Sequence, residues 1–310
     1  MKITIGIPCY NAEQWIAQAI QSALDQRDVD VEVIVVDDGS TDGSVGIAKG
    51  FGARVKVIEG GRSGANHARN LVLQNATGEW VQYLDADDYL EPAKVSTHLR
   101  EANDGLDADV LYSPVWVETW TADSSSRTAS ESSPDADIFT QWIRWQIPQT
   151  GGCLWRRDAL ARIGGWKEGQ PCCQEHELYL RALVAGLRFQ FTPTPGAVYR
   201  IWSEQTLCRK DPLLVVRIRT GLFDTLLAHL TEKNLLTETH RRELGRACFE
   251  MARTFAKHDL GGAAKYHTER KAKGLIQVGG PAGPFSYRLF YSTLGFTAAE
   301  KIARRLRPAK

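Results

Sequence analysis

No run in the 310 residues approaches the roughly 18 consecutive apolar positions of a membrane-spanning helix. Neither sign of charge dominates. Lysine and arginine number 38 against 37 acidic side chains, leaving a formal charge of +1, so no global field draws in nucleic acid. Cysteine is scarce. Cys9, Cys153, Cys172, Cys173, Cys208 and Cys248 contain no CxxC pair. The adjacent Cys172 and Cys173 would bridge only with strain, and the spacing supports no zinc site. Reduced thiols in the cytoplasm are the expectation. No secretory h-region precedes the strand-like Lys2-Ile3-Thr4-Ile5-Gly6-Ile7, which points to a soluble or peripheral protein. No internal repeat is evident. After that first strand there is no Gly-x-Gly-x-x-Gly; Pro8-Cys9-Tyr10-Asn11 stands there instead, which argues against NAD binding.

What is present is alternation. Ile3, Ile5 and Ile7 mark a strand that Pro8 ends. Ala12 to Leu24 follows with helical spacing at Trp15, Ile16, Ala19, Ile20 and Ala23. Val31 to Val36 is a second strand, apolar enough at its end to be covered on both faces. A helix starts near Gly43, Val55 to Ile58 is a third strand, and Ala65 to Leu73 a third helix. Glu79 to Leu84 is a fourth strand, Pro92 opens a fourth helix, and Ala108 to Tyr112 is a fifth strand. This order predicts an α/β fold with a doubly wound, mostly parallel sheet. Ligands of such sheets sit beyond the carboxyl ends of the strands, where Cys9-Tyr10-Asn11, Asp37-Asp38 and Asp85-Ala86-Asp87-Asp88 fall. In the last of these, three carboxylates crowd into four positions. Like charges this close call for a cation or hydrogen-bond donors, and hard oxygen ligands suit Mg²⁺ or Mn²⁺, especially when phosphates complete the shell.

Four motifs occur in order: Ile7-Pro8-Cys9-Tyr10-Asn11, Val36-Asp37-Asp38-Gly39-Ser40-Thr41-Asp42, Gly64-Ala65-Asn66-His67-Ala68-Arg69-Asn70 and Tyr83-Leu84-Asp85-Ala86-Asp87-Asp88. Together they resemble the family 2 glycosyltransferases with the GT-A fold, inverting enzymes common in bacterial cell-surface glycan synthesis. The resemblance covers about residues 1–210 and is weak between Ser113 and Gln149. It implies that Asp38 bonds the nucleobase and that Pro8 and Tyr10, with Asn11 of the same motif, line the base and ribose pocket. It also implies that Arg69 approaches the base or phosphates, that Asp85 faces the ribose, and that Asp87 holds the metal. Singly, each residue has a plainer reading. Asp37 and Asp38 suit a helix cap, Arg69 a helix surface, and Asn70 a local backbone bond.

Gly164-Gly165-Trp166 followed by Gln174-Glu175-His176-Glu177-Leu178 resembles the family's second signature, in which Gly-Gly-Phe precedes Glu-Asp-x-Asp-Leu. The resemblance makes Glu175 the catalytic base, with Glu177 the other candidate. The plainer reading of Glu175 is a favourable partner for a helix dipole, and His176 is a rival base. Val198-Tyr199-Arg200-Ile201-Trp202 resembles the family's Tyr-Arg-x-His, with Trp202 where relatives carry a His that can contact the metal or diphosphate. Arg200, Arg209 or Lys210 is then expected near the diphosphate. Seven of the nine tryptophans follow the Asp cluster. One or two of them, Trp166 or Trp202, are expected at the acceptor site and the others in the core, with Trp142 and Trp145 on one buried stripe. Thr119 to Asp137 is expected to be a mobile loop or hairpin.

Residues 211–310 read as an α-helical annex to a transferase domain spanning 1–210. The annex comprises a helix with a Val215, Ile218, Leu222 and Leu226 stripe, a second over 238–257, a third over 260–273, and an aromatic, basic tail. From 285 to 310 six basic residues meet one acid, which suits peripheral membrane contact or packing on the annex or a second subunit. The overall expectation is a metal-dependent transferase passing a sugar from a nucleotide-sugar, UDP-linked above others, to a glycan or lipid-linked acceptor in polysaccharide biosynthesis. It would act in the cytoplasm or at the inner face of the cell membrane. The alternatives are a nucleotide- or glycan-binding subunit without turnover and a nucleotidyltransferase. The Gln174 and Trp202 departures keep the former open. The missing Gly-rich basic loop weighs against the latter.

Overall fold

The computed structural model describes residues 1–103, 107–120, 124–132, 134–202 and 211–306. The chain forms two compact units. One comprises Met1–Ala136 and Trp145–Glu204, the other Asp137–Arg144 and Gln205–Lys310.

In the first unit the elements run β1 (Lys2–Cys9), α1 (Ile16–Leu24), β2 (Asp30–Asp37), α2 (Ser44–Lys49), β3 (Val55–Glu59), α3 (Ala65–Asn75), β4 (Trp80–Tyr83), β5 (Tyr89–Leu90), α4 (Lys94–Glu101), β6 (Val110–Tyr112), β7 (Trp116–Trp120) and β8 (Ser125–Ala129). After α5 (Ile138–Ile143), which belongs to the second unit, come β9 (Cys153–Arg156), α6 (Arg157–Arg162), α7 (Gln174–Val184), β10 (Phe189–Phe191) and β11 (Ala197–Ile201). The seven-stranded sheet has the order β10-β6-β9-β4-β1-β2-β3. β4, β1, β2 and β3 are mutually parallel. The period-2 isoleucines of β1 are fully buried, as alternation requires of a central strand. Gly6 lets α3 lie against β1, because a Cβ there would run into Val72. That approach brings the polar face of α3 to the carboxyl end of the sheet.

Two features depart from simple alternation. β9 inserts antiparallel between β4 and β6. Its four residues, Cys153-Leu154-Trp155-Arg156, are too short and too mixed to declare a strand by pattern; they are one because Leu154 and Trp155 are buried between two neighbours. The other departure is a second sheet of order β5-β11-β7-β8. Within the 119–137 excursion, Thr119 and Trp120 end β7 and Ser125–Ala129 form β8, antiparallel to it, while residues 121–123 and 133 lie outside the described residues.

The second unit contains α5, α8 (Pro212–Glu232), α9 (Glu238–His258), α10 (Leu260–Ala272) and α11 (Phe285–Leu306). Asp211, Thr237 and Asp259 cap α8, α9 and α10, each accepting an otherwise unpaired first-turn N–H. The buried stripe of α8 is Val216, Phe223, Leu226 and Leu230. It is rotated from the expected Val215-Ile218-Leu222-Leu226 line because Phe223 packs edge-on against Trp142 of α5. Trp142 is buried as expected, whereas Trp145 lies beyond the end of α5, at φ 64°, and is partly exposed. α11 is broken at Gly295, whose φ of 77° and ψ of 176° are not helical. No helix among the described residues is long and apolar enough to cross a membrane.

Candidate active site

The loops after β1 and β2 are tied together first. Asn11 takes a left-handed φ of 47°, which its side chain tolerates better than most. Its Oδ1 accepts from Thr41 N at 2.8 Å, while its own N–H donates to Ser40 Oγ at 2.9 Å. Asp37 accepts from the Gly39 and Ser40 amides. Asp38 reaches across to the loop before α3, accepting from Ser63 N at 2.7 Å and Gly64 N at 2.9 Å. Gly64 presents that amide with φ at 95°, a conformation suited to glycine. Asp38 is therefore engaged by backbone in a way its motif did not reveal, although a carboxylate has further lone pairs for a ligand. Tyr10 is 44% exposed, with Arg62 donating to its hydroxyl at 2.9 Å and lying over its ring. Pro8 does not end β1 as expected but lies within it, opposite Val36 of β2, and the strand runs on to Cys9; burial pushes the Cys9 thiol up to about 11. Arg62 was not singled out by sequence; the available signal was a basic residue in the Gly-rich loop after the third strand.

α3 supplies the centre. Arg69 is buried, and its guanidinium meets Asp85 at 2.7 Å, Gln174 Oε1 at 3.0 Å and Asn66 Oδ1 at 3.1 Å. Burial penalises its charge, but Asp85 and then Glu175 overcome that and hold it firmly protonated. Arg69 is thus a buried hub rather than a surface side chain. Asn70 makes two reciprocal bonds with the Trp166 backbone, at 2.9 and 2.8 Å, so it joins the Gly-Gly-Trp segment to α3 instead of capping locally. Trp166 is only 2% exposed. The Arg69 guanidinium lies 4.4 Å from its ring centroid and Tyr83 meets it edge-on. Trp166 therefore braces Arg69 and has no open face to offer an acceptor.

The Asp cluster follows β4. Asp87 Oδ2 accepts from the Trp202 indole N–H at 3.0 Å, and Asp88 Oδ1 accepts from Arg200 N at 2.8 Å. Burial first, and Asp85 second, push the Asp87 carboxyl up. The buried Asp88 is pushed well above the ordinary range by burial, then by Asp85 and Asp87. Arg200 does not present a free fork to a diphosphate. It donates to the Asp87 carbonyl at 2.9 Å and to Gln18 Oε1 at 2.5 Å, between the rings of Trp15 and Tyr89. Arg209 and Lys210 lie outside the described residues.

Glu175 and Glu177 in the first turn of α7 diverge. Glu177 is bound in both oxygens by Arg181, four residues on, whereas among the described residues the Glu175 carboxylate accepts from Thr150 Oγ1, at 2.9 Å. His176 is buried against Trp145. The Tyr199 phenol is pushed up to about 12 by burial and then by Asp88, Asp85, Asp87 and Glu175, and Arg69, bonded to both Asp85 and Gln174, ties the Asp cluster to the first turn of α7. Among the described residues no three His, Cys, Asp or Glu form a preformed metal cage. Asp87 and Asp85 nonetheless suit Mn²⁺ or Mg²⁺, which bind through one or two carboxylates and complete their shell with waters and phosphate oxygens. Burial and then Asp85 raise the Asp87 and Asp88 carboxyls, and a cation bound beside them would favour their charged forms.

Known proteins bear on this arrangement. The chain is 27% identical over 251 residues to the putative glycosyltransferase EpsH of Bacillus subtilis, a match spanning 78% of this chain and 72% of that one. It is 37% identical over 102 residues to the chondroitin synthase of Pasteurella multocida, covering 32% of this chain but 11% of that one. In three dimensions it resembles S. aureus TarS 1-349 in complex with UDP, with a TM-score of 0.68, 17% identity, and coverage of 100% of this chain and 93% of that one. It also resembles the mannosyltransferase PcManGT of Pyrobaculum calidifontis in complex with GDP-Man and Mn²⁺, with a TM-score of 0.54, 18% identity, and coverage of 98% and 87%. These likenesses identify the GT-A-like fold. The Glycosyl transferase family 2 model matches residues 4–164, more than half of the chain and inclusive of all four opening motifs, so this protein belongs to glycosyl transferase family 2.

Proposed function

We propose that the chain transfers a sugar from a UDP-sugar to a glycan or lipid-linked saccharide acceptor in polysaccharide biosynthesis, with inversion at the anomeric carbon. The observation that carries the reading is the buried Arg69, which joins Asp85 of the Asp cluster at 2.7 Å to Gln174, beside Glu175, at 3.0 Å, at the strand ends that also gather Tyr10 and Asp38. Pro8, Tyr10, Asn11 and Asp38 bound the nucleotide pocket, and the Arg69–Asp85 pair forms its floor. Asp87, with Asp85 beside it, would hold Mn²⁺ or Mg²⁺, which when bound supplies Lewis-acid stabilisation of the leaving diphosphate. Glu175 accepts the proton of the acceptor hydroxyl. That oxygen then attacks the anomeric carbon from the face opposite the diphosphate, and the anomeric C–O bond breaks with its electron pair leaving on the nucleotide. No carboxylate nucleophile is needed. Burial of Arg69, Asp88 and Arg200 holds the surrounding groups in place.

Thermal stability against UDP-, GDP-, dTDP- and CMP-sugars, with and without Mn²⁺, tests this. A ligand that binds the folded state raises Tm by mass action. The expected result is a metal-dependent rise with the UDP-sugar that is absent in Asp87→Ala. No rise with any nucleotide, at concentrations saturating for relatives, overturns the donor reading.

For the second unit we propose peripheral contact with an anionic membrane through α11. Phe285, Leu289, Leu294 and Leu306 are exposed there beside the basic Arg288, Lys301, Arg304 and Arg305, a combination that suits an interfacial helix. Co-sedimentation with vesicles containing anionic lipid is expected, and Leu289→Glu with Leu294→Glu is expected to abolish it. A salt-insensitive homodimer that ignores vesicles would sink this reading.

A further inference from the structure

β7 places Trp116, Glu118 and Trp120 on one face, because side chains alternate along a strand. β11 pairs parallel with β7, with Val198 opposite Trp116 and Arg200 opposite Glu118. Trp202 follows directly after the end of β11 at Ile201. Trp15, in the turn ahead of α1, meets both outer indoles, with ring centroids 5.8 Å from Trp120 and 6.0 Å from Trp202. The group is held from behind. Glu118 accepts from Trp120 Nε1 at 2.5 Å and from the Tyr89 hydroxyl at 2.7 Å, and Arg200 lies against Trp15. Yet Trp120 is 45% and Trp202 49% exposed. Fixed, clustered, solvent-facing indoles mark a binding groove more often than an ordinary surface.

The position of the cluster says what it would bind. The Trp202 N–H touches Asp87, so the aromatic wall begins at the reaction centre. The nucleotide-side groups Tyr10, Arg62 and Asp38 gather instead at the ends of β1 and β2. A pyranose has an apolar C–H face that stacks on indole and hydroxyls that donate to carboxylates such as Glu118. We propose that Trp120 and Trp202, braced by Trp15, form a stacking subsite for a pyranose ring of the saccharide acceptor. The proposal rests on the transferase reading above and adds Trp120 and Trp15, which the motifs do not contain, to Trp202.

Hydroxyl-radical footprinting of the full chain, read residue by residue with mass spectrometry, separates the two ideas. The probes are UDP with Mn²⁺ and, separately, cellotetraose, N-acetylchitotetraose and mannotetraose. UDP is expected to protect Tyr10, and at least one tetrasaccharide to protect Trp120 and Trp202. Tyr10 protection with no tetrasaccharide protecting the pair overturns the subsite and leaves the donor reading standing. Protection of the pair without Tyr10 protection supports the subsite and counts against the donor reading. Protection of the pair by UDP alone reassigns it to the donor and overturns the proposal. Trp120→Ala is expected to weaken tetrasaccharide binding about ten-fold, and Trp120→Tyr, which keeps an aromatic face, by about three-fold or less. Saccharide affinity in Trp120→Ala equal to wild type would also overturn it.

Discussion

Two acidic loops follow parallel strands of one sheet, and the protein treats them oppositely. After β2, Asp37 and Asp38 are met by amides of Gly39, Ser40, Ser63 and Gly64. Their negative charge is taken up by backbone, and its effect is to shape two loops. After β4, Asp87 accepts from the Trp202 indole N–H and Asp88 from the Arg200 amide, and their carboxyls are pushed upward by burial and then by Asp85. Here the charge is left available. Adjacent carboxylates thus mean scaffold in one place and a latent cation site in the other, and the number of donors aimed at them makes the difference.

The sharpest way to break the comparison is Asp87→Ala. It should lower transfer by about 10²–10³-fold, the scale of losing one electrostatic stabiliser of a leaving group, and leave the melting temperature without ligand nearly unchanged. A rate assay with UDP-sugar and acceptor reads it, and a variant that retains most activity would place the cation elsewhere. Asp38→Ala should lower folding stability as well as donor binding. Removing the acceptor of two partly buried amides costs about 1–3 kcal/mol of folding free energy, visible in urea denaturation, and Asp38→Asn should recover part of it. A stability loss confined to Asp87→Ala would invert the argument.

The smallest effect is the most specific. A carboxyl with a raised folded pKa holds more protons in the native than in the unfolded state within the window opening upward from its ordinary value of 3.8. Stability therefore falls as pH rises through that window. Asp88→Asn keeps an acceptor for the Arg200 amide and removes the titration. It should melt a few degrees above wild type at neutral pH and lose the advantage as the pH falls towards 3.8. Glu32, held down at about 2 by hydrogen bonds from Thr4 and Thr77 that outweigh its burial, acts in the other direction. Its stabilisation is complete above the ordinary 4.5 and is lost as pH falls towards 2, so only the difference between variant and wild type isolates Asp88. A pH-independent difference would refute the assignment.

Much of this was legible beforehand. The strand–helix alternation and the loops at the strand ends follow from local periodicity and from Gly39 and Gly64, which act over a few residues. The separation of Glu175 from Glu177 follows from helical geometry, and the sequence order of the motifs sufficed for the family. The antiparallel β9 was not legible, because four mixed residues become a strand only when β4 and β6 flank them. Nor was the inward turn of Trp166. A tryptophan beside two glycines looks available for a sugar until Arg69 is found on its face.

What the sequence determined by itself is therefore what short-range physics can specify: element type, loop chemistry and the order of the motifs. Tertiary structure alone decided the partners. Trp202 reaches Asp87 across 115 positions, Arg69 meets Gln174 across 105, and Asp38 holds Gly64 across 26. Such pairings leave no periodic trace in the chain. They arise when the sheet brings distant strand ends together and buried polar groups must find donors among whatever neighbours they then have.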